Sequence, residues 1–417
     1  MRKPSVYVFG VVSFFCLSAA LAAGARTMTT SVAADGTAAM SFPAAPQLQS
    51  HIDGSSGYPR VVRVVDATGR VTGDLVASSK DKIFESYDHG HTWQVIATID
   101  PAADGLTWRC CSTLFQLPRP VGKLREGTLI YAASYLKGDT PAIGYYLSND
   151  HGRTWAFQGT PVVRGNADHH GLWEPQFEVA KDGALVMFWS DETDPAHSQK
   201  LAQMRNYFQG HGWQDEKDTV ASRVPGDRPG MAVVNQLSAG DFFMTYEVQG
   251  SAHQGAVYAR ISKDGWDFGD PAKLGFRPTD EQGEYFEVAP SNVWIATPSH
   301  PAGSLFVVGR NLVQANGQPA PLDGQVLFMN DDPDGRGVWK RIPAPVPISG
   351  IPTATHINCE NYSSALLGYP DGRGIVELAT KADRADAKFG PGCSVYVGHL
   401  PFAGGLGRVI PPDSVIP

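Results

Sequence analysis

Ser86-Tyr87-Asp88-His89-Gly90-His91-Thr92-Trp93 and Ser148-Asn149-Asp150-His151-Gly152-Arg153-Thr154-Trp155 share the frame S-x-D-x-G-x-T-W at every fixed position. Chance does not readily duplicate such a frame, and an internal repeat has to be read before any single residue is weighed. Each residue type suits a tight hairpin turn: Asp and Ser hydrogen-bond the local backbone, Gly supplies a positive φ, and Trp packs between neighbouring strands. Looser copies follow at Tyr207-Phe208-Gln209-Gly210-His211-Gly212-Trp213, at Ser262-Lys263-Asp264-Gly265-Trp266-Asp267-Phe268, and at Asn330-Asp331-Asp332-Pro333-Asp334-Gly335 leading to Trp339. The five tryptophans Trp93, Trp155, Trp213, Trp266 and Trp339 are spaced by 62, 58, 53 and 73 residues. Each interval suits one four-stranded blade with its loops.

Five marked blades, with about one blade-length of chain left after Trp339, predict an all-β, six-bladed β-propeller over residues 50–417. The frame resembles the Asp-box of sialidases and related propellers, a motif that specifies fold far more than function. Composition agrees: 45 Gly, 31 Pro and 9 Trp in 417 residues suit short strands joined by many turns. Strand-like runs fall between the marks, among them Thr128 to Ala132, Ala184 to Trp189, Phe242 to Tyr246, Leu305 to Val308 and Ile375 to Leu378. Residues around Tyr58 to Val65 are expected to complete the last blade beside Ser394 to Val397 and so close the ring.

The N-terminus has a basic start, Met1-Arg2-Lys3, an apolar stretch from Val6 to Ala23, and small residues suited to cleavage at Ala20 to Ala25. This pattern predicts a signal peptide over 1–25 and a secreted or periplasmic protein, the competing reading being an uncleaved membrane anchor. Residues 26–49, rich in Ala, Ser and Thr, read as a flexible mature N-terminus. Loss of Cys16 with the signal leaves Cys110, Cys111, Cys359 and Cys393, an even number compatible with disulfides. Cys359 with Cys393 is the favoured pair; adjacent Cys110 and Cys111 are left either as a vicinal bridge or as free thiols. A formal net charge of −8 argues against nucleic acid or anionic lipid as the main partner. The expected partner is an oligosaccharide or polysaccharide, bound by a monomer that keeps no stable membrane association once the signal is removed.

A propeller is a scaffold, and its chemistry comes from side chains converging on the central channel. Three segments place acidic or phenolic groups among aromatic neighbours at predicted strand edges. In Gly171-Leu172-Trp173-Glu174-Pro175-Gln176-Phe177-Glu178-Val179, a carboxyl between Trp and Pro is partly desolvated, which raises its pKa and suits a proton donor. Glu174 is therefore the candidate general acid, against a solvated loop carboxylate. In Met244-Thr245-Tyr246-Glu247-Val248-Gln249-Gly250, period-two alternation puts Tyr246 and Val248 on one face and Thr245 and Glu247 on the other. Glu247 is the candidate nucleophile or charge stabiliser, against an edge-strand surface glutamate. The third segment, Asn358-Cys359-Glu360-Asn361-Tyr362-Ser363-Ser364, resembles the sialidase stretch that carries the active-site tyrosine. It makes Tyr362 a candidate to bond a catalytic carboxylate or lie beneath the sugar, against a buried structural tyrosine.

Taken in order, Trp173-Glu174-Pro175-Gln176-Phe177-Glu178, Arg228-Pro229-Gly230-Met231 and Tyr246-Glu247 resemble the exo-α-1,5-L-arabinanase family of sialidase-like propellers. The resemblance runs from about Tyr58 onward. It implies a catalytic pair at Glu174 and Glu247 with a tyrosine at Tyr362, acting on linear arabinan from the non-reducing end with retention. Arg60, Trp173, Arg228, Tyr246, Arg310 and Asn361 are the expected substrate-binding residues. No cofactor or metal is expected; Asp168-His169-His170 reads as a polar loop, against a substrate subsite or a metal site, and His89, His91 and His151 face solvent within the turns. One rival is an exo-sialidase, with Tyr362 as nucleophile, Glu247 as its base, and Arg60, Arg260 and Arg310 on a sugar carboxylate. Another is a propeller that binds carbohydrate without turning it over.

Overall fold

The turn frames recur at one place in the architecture, the hairpin between the third and fourth strands of a sheet. The computed structural model describes residues 50–52, 58–65, 71–166, 170–250, 252–298, 300–351, 359–386 and 390–402. The expected signal peptide and the 26–49 segment lie outside the described residues, as do Asp168 and His169. Six sheets, antiparallel but for one short edge strand, form the blades, and among the described residues there is no α-helix, only a short 3-10 turn at Pro101–Asp104. The innermost strands are Arg60–Val65, Leu106–Gln116, Leu172–Val179, Arg228–Gln236, Ser291–Thr297 and Ala365–Gly368. Each touches its counterpart in the next blade, and Arg60–Val65 touches both Leu106–Gln116 and Ala365–Gly368, so the ring closes. This is a six-bladed β-propeller of the sialidase-like arrangement.

Closure differs in one respect from the sequence reading. The C-terminal partner is as expected, but Ser50–Ile52 supplies the outermost strand, with Ser50 opposite Val397 and Ile52 opposite Val395. Arg60–Val65 instead begins the first blade at the channel. Both segments carry β-branched residues, so strand propensity does not discriminate between them; only the register of the completed ring does. The fourth and fifth sheets have five strands each: Tyr285–Glu287 and Asn311–Val313 follow the three inner strands of the fourth, and Thr279–Asp280 runs parallel to Val338–Pro343 at the edge of the fifth.

Apolar side chains from facing sheets fill the wedges between blades. Val76 and Ile83 of the first blade pack with Leu129, Tyr131 and Tyr135 of the second, and Phe188 of the third packs with Phe242, Met244 and Tyr246 of the fourth. The turns brace the outer ends of these wedges. In the first, Ser86 Oγ meets Asp88 Oδ1 at 2.8 Å and accepts the Gly90 N–H at 2.7 Å; Asp88 accepts from Thr92 N at 2.8 Å and Thr92 Oγ1 at 2.6 Å. The second repeats these contacts within 0.2 Å through Ser148, Asp150, Gly152 and Thr154. Trp93, Trp155 and Trp339 each donate the indole N–H to the carbonyl of the turn glycine. Gly152 has φ 86°, and a Cβ there would press on Ile83 of the preceding blade at 3.2 Å. The glycine is thus required by its backbone and by the neighbouring sheet.

Candidate active site

Three inner strands carry the same irregularity near their start. Cys110 faces Ser134 and Thr113 faces Ala132; Trp173 faces Ser190 and Gln176 faces Phe188; Gly230 faces Glu247 and Val233 faces Thr245. In each, three steps on the inner strand match two on its neighbour, the definition of a β-bulge. A left-handed residue stands in each bulge: Cys111 at φ 66°, Glu174 at 51° and Met231 at 57°. Positive φ is costly for side chains larger than glycine and persists where packing over-determines it. Glu174 therefore leaves the alternation of its strand and is aimed by the bulge.

By the same register, Ser134, Ser190 and Glu247 occupy equivalent places in successive blades. In the third blade, Ser190 Oγ donates to Glu174 Oε2 at 2.5 Å and accepts the Met231 N–H of the fourth blade at 3.1 Å. Tyr58 donates its hydroxyl to Glu174 Oε1 at 3.4 Å. Glu247, only 6% exposed, accepts Ala289 N–H at 2.6 Å and Gln249 Nε2 at 3.3 Å. Tyr58, the Cys110–Cys111 pair, Trp173, Met231, Ala289 and Tyr362 form one cluster drawn from the start of all six blades. Tyr362 meets Tyr58 edge to face at 5.4 Å, and its hydroxyl lies 3.8 Å from Met231 Sδ. Here Glu174, Glu247 and Tyr362 come together.

The two carboxyls differ electrostatically. Desolvation, with the charges of Glu247 and Glu192, pushes Glu174 up to about 7 against the hydrogen bonds from Ser190 and Tyr58. Burial also raises Glu247, but the Ala289 N–H, Gln249 and the Arg228 cation all favour its ionised form. Tyr58 and Tyr362 are raised by burial and by the same carboxylates, so both hydroxyls stay protonated as donors near neutral pH.

Other candidates have different places. Trp173 is part-exposed beside Glu174, with the Arg109 guanidinium 4.3 Å above its ring. Arg228 is part-exposed and paired with Glu192, and it donates to Ser198 and Gln199. Tyr246 is fully buried in the wedge facing the third blade and donates to the Leu274 carbonyl, so it is a core residue and not a sugar contact. Alternation had already put it opposite Glu247. Asn361 spends its amide on the Gly309 and Arg310 carbonyls and accepts from Ser364, which makes it a backbone brace. Arg60 is a clasp between the first and last blades, donating to Pro59 O at 2.8 Å and to Ser363 O and Oγ at 3.1 and 3.0 Å. Arg310 is 2% exposed and donates Nε to the Glu360 carbonyl. Arg260 donates to the Thr219 and Asp270 carbonyls on the Tyr246 side. Of the three arginines of the sialidase reading, Arg60 and Arg310 flank the Tyr362 segment, while Arg260 lies elsewhere.

Sequence reasoning missed Ser190, Glu192, Arg109 and the placement of Tyr58. None has a local signal, since each acquires its role by meeting Glu174 or Trp173 from another strand. Both disulfides form, Cys359–Cys393 and the vicinal Cys110–Cys111, the latter within the channel cluster.

No family model and no curated relative matches this chain. Among solved structures it is similar to an α-L-arabinanase of Penicillium chrysogenum complexed with arabinobiose, at 26% identity and a TM-score of 0.66, over 86% of this chain and 96% of that one. Its structural neighbours are α-L-arabinanases and α-L-arabinofuranosidases. An α-L-arabinofuranosidase of Fusarium graminearum in complex with arabinobiose matches at 22% identity and 0.64, over 85% of this chain and 95% of that one. A Hadza microbial sialidase matches at 13% identity and 0.51, over 83% and 66%. These last two likenesses are of fold alone.

Proposed function

We propose that the chain is an exported glycoside hydrolase that cleaves α-L-arabinan from the non-reducing end with retention of configuration. The observation that carries this reading is the meeting of two desolvated carboxyls of unequal acidity at the channel, the part-exposed Glu174 poised at about 7 and the buried Glu247 held by N–H donors. The likeness to the arabinobiose-bound arabinanase supports the choice of sugar. In the first step the Glu247 carboxylate attacks the anomeric carbon while Glu174 gives its proton to the glycosidic oxygen, and the shortened chain leaves. In the second, Glu174 takes a proton from water, whose oxygen attacks the same carbon and releases Glu247. Ser190 and Tyr58 hold Glu174 in line, and Tyr362 closes the apolar side of the site.

Two measurements test the proposal. Product analysis on arabinan, sialoside, rhamnoside and uronate-containing glycans is expected to show release from arabinan; release from a sialoside alone overturns the reading. Proton NMR during turnover is expected to show the retained anomer first. Retention requires the carboxyls about 5 to 5.5 Å apart, and an inverted first product assigns them to the wider spacing of roughly 6.5 to 9.5 Å.

A further inference from the structure

Trp173 stands beside the general acid in an unusually constrained setting. One face lies under Arg109, at 4.3 Å from the ring centre. The indole also covers Gly171 so closely that a Cβ on that glycine would fall 2.0 Å from the ring. Its N–H donates to Glu192, which also accepts Gly171 N–H at 2.8 Å and pairs with Arg228. Arg228 is anchored in turn by Ser198 Oγ at 3.0 Å and Gln199 Oε1 at 2.8 Å, and Gln199 donates to the Pro229 carbonyl at 3.0 Å. The Glu192 carboxylate thus ties the start of the third inner strand to the start of the fourth, on either side of the Glu174 bulge.

We propose that Glu192, held by Arg228, is the positioning residue of this site: it locks the Trp173 indole over Gly171 as a sugar-facing wall and fixes the bulge that presents Glu174. This rests on the reading of Glu174 as general acid. The pairing has a second consequence, because Glu192 is also a negative charge acting on Glu174. Arg228 compensates that charge. The other groups facing Glu174 are Tyr58 and Arg60 from the first blade, Ser190 from the third, Glu247 from the fourth and Tyr362 from the last. Around Glu192 they are Arg228, the Trp173 indole, the Gly171 N–H and, at its own carbonyl, His170 at 2.9 Å.

The experiment compares pH profiles of kcat/KM for wild type, Glu192→Gln and Arg228→Met on a linear arabino-oligosaccharide, with thermal unfolding on the same preparations. Glu192→Gln removes a negative charge beside Glu174, and the alkaline limb moves to lower pH. Arg228→Met bares Glu192, and the limb moves to higher pH. A merely structural role does not move the two in opposite directions, so limbs that shift together or stay at the wild-type pH overturn the proposal. Arg228→Lys keeps a cation at the pair and is expected to hold the limb near wild type, which preserves the comparison if the methionine variant does not fold. Gly171→Ala displaces the indole while leaving Glu192 and Arg228 charged, and is expected to raise KM roughly tenfold or more with a smaller change in kcat. An unchanged KM there removes the wall. Glu174→Gln run alongside separates the two readings: if it keeps wild-type activity and limb, the acid assignment fails, whereas an inactive Glu174→Gln with unmoved limbs in the other variants defeats the positioning role alone.

Discussion

The outer turns and the inner bulges are both repeated features of this propeller, and they differ in what repeats. At the outer ends, Ser86 to Trp93 and Ser148 to Trp155 repeat residue identity and geometry together, down to the same hydrogen bonds. At the channel, Cys111, Glu174 and Met231 repeat only the left-handed backbone of the bulge, and Ser134, Ser190 and Glu247 share only a position in the register. A turn that closes a hairpin is satisfied by the same donors and acceptors wherever the frame recurs. A single active site needs the opposite, since six equivalent positions become one site only when their side chains differ. Repetition of sequence therefore marks the scaffold, and its failure at equivalent positions marks the chemistry.

The largest expected effect breaks the comparison at the channel. Glu174→Gln and Glu247→Gln should each lower kcat/KM by roughly 10²- to 10⁴-fold, the range for losing a positioned acid–base group, without unfolding the ring. Steady-state kinetics and thermal melts on one preparation check this. Near-normal turnover in both would return the carboxyls to a structural role. In the wild type, the alkaline limb of kcat/KM is expected near pH 7, because Glu174 must carry its proton to serve as acid and is held at about 7.

The turns are expected to show the reverse pattern, stability lost and turnover kept. Within the frame the larger cost falls on Ser148 and the smaller on Asp150. Ser148 is 1% exposed and accepts the buried Gly152 N–H, whereas Asp150 serves Thr154 at an exposed place. Ser148→Ala is thus expected to cost about 1 to 3 kcal/mol, and Asp150→Ala about 1 kcal/mol, since water replaces its contacts. Denaturant unfolding orders the two, and equal costs would remove the distinction.

A pH-dependent effect sharpens the contrast between the carboxyls proposed for chemistry and one used for packing. Glu377, on the second strand of the last blade, is fully buried, accepts Val346 N–H at 2.9 Å, and is pushed up to about 8 by desolvation. A carboxyl raised above its ordinary value of 4.5 binds its proton more tightly folded than unfolded. Its contribution is fully present below about pH 4.5 and is lost as pH rises through about 8. Glu377→Gln, which retains an acceptor for Val346, is expected to flatten the fall in melting temperature across that window while leaving kcat/KM unchanged. A slope identical to wild type would place the buried proton elsewhere.

Much of the fold was legible because its signals are local. A turn motif spans eight residues, and a Trp every blade-length counts the blades without any knowledge of their contacts. The same holds for Glu174 and Glu247, whose segments juxtapose a carboxyl with aromatic or apolar neighbours and a strand edge. Tyr246 shows the limit of proximity, because its place next to Glu247 in the chain puts it on the opposite face of the sheet. Arg60 and Asn361 show another, since polar side chains near the site are consumed by backbone carbonyls of other blades.

From the sequence alone came the propeller, its blade count, the outer braces and the nomination of Glu174 and Glu247 as candidates, all of them read from hydrogen-bonding needs and periodicities that operate within a few residues. Tertiary structure alone decided which N-terminal strand closes the ring, that Ser190, Tyr58 and Glu192 surround Glu174, and that Arg260 lies away from them. The physical reason is range. A turn satisfies its own polar groups, whereas the acidity of Glu174 is the sum of desolvation, hydrogen bonds and charge from residues 16 to 116 positions away, which only the closed ring brings within reach.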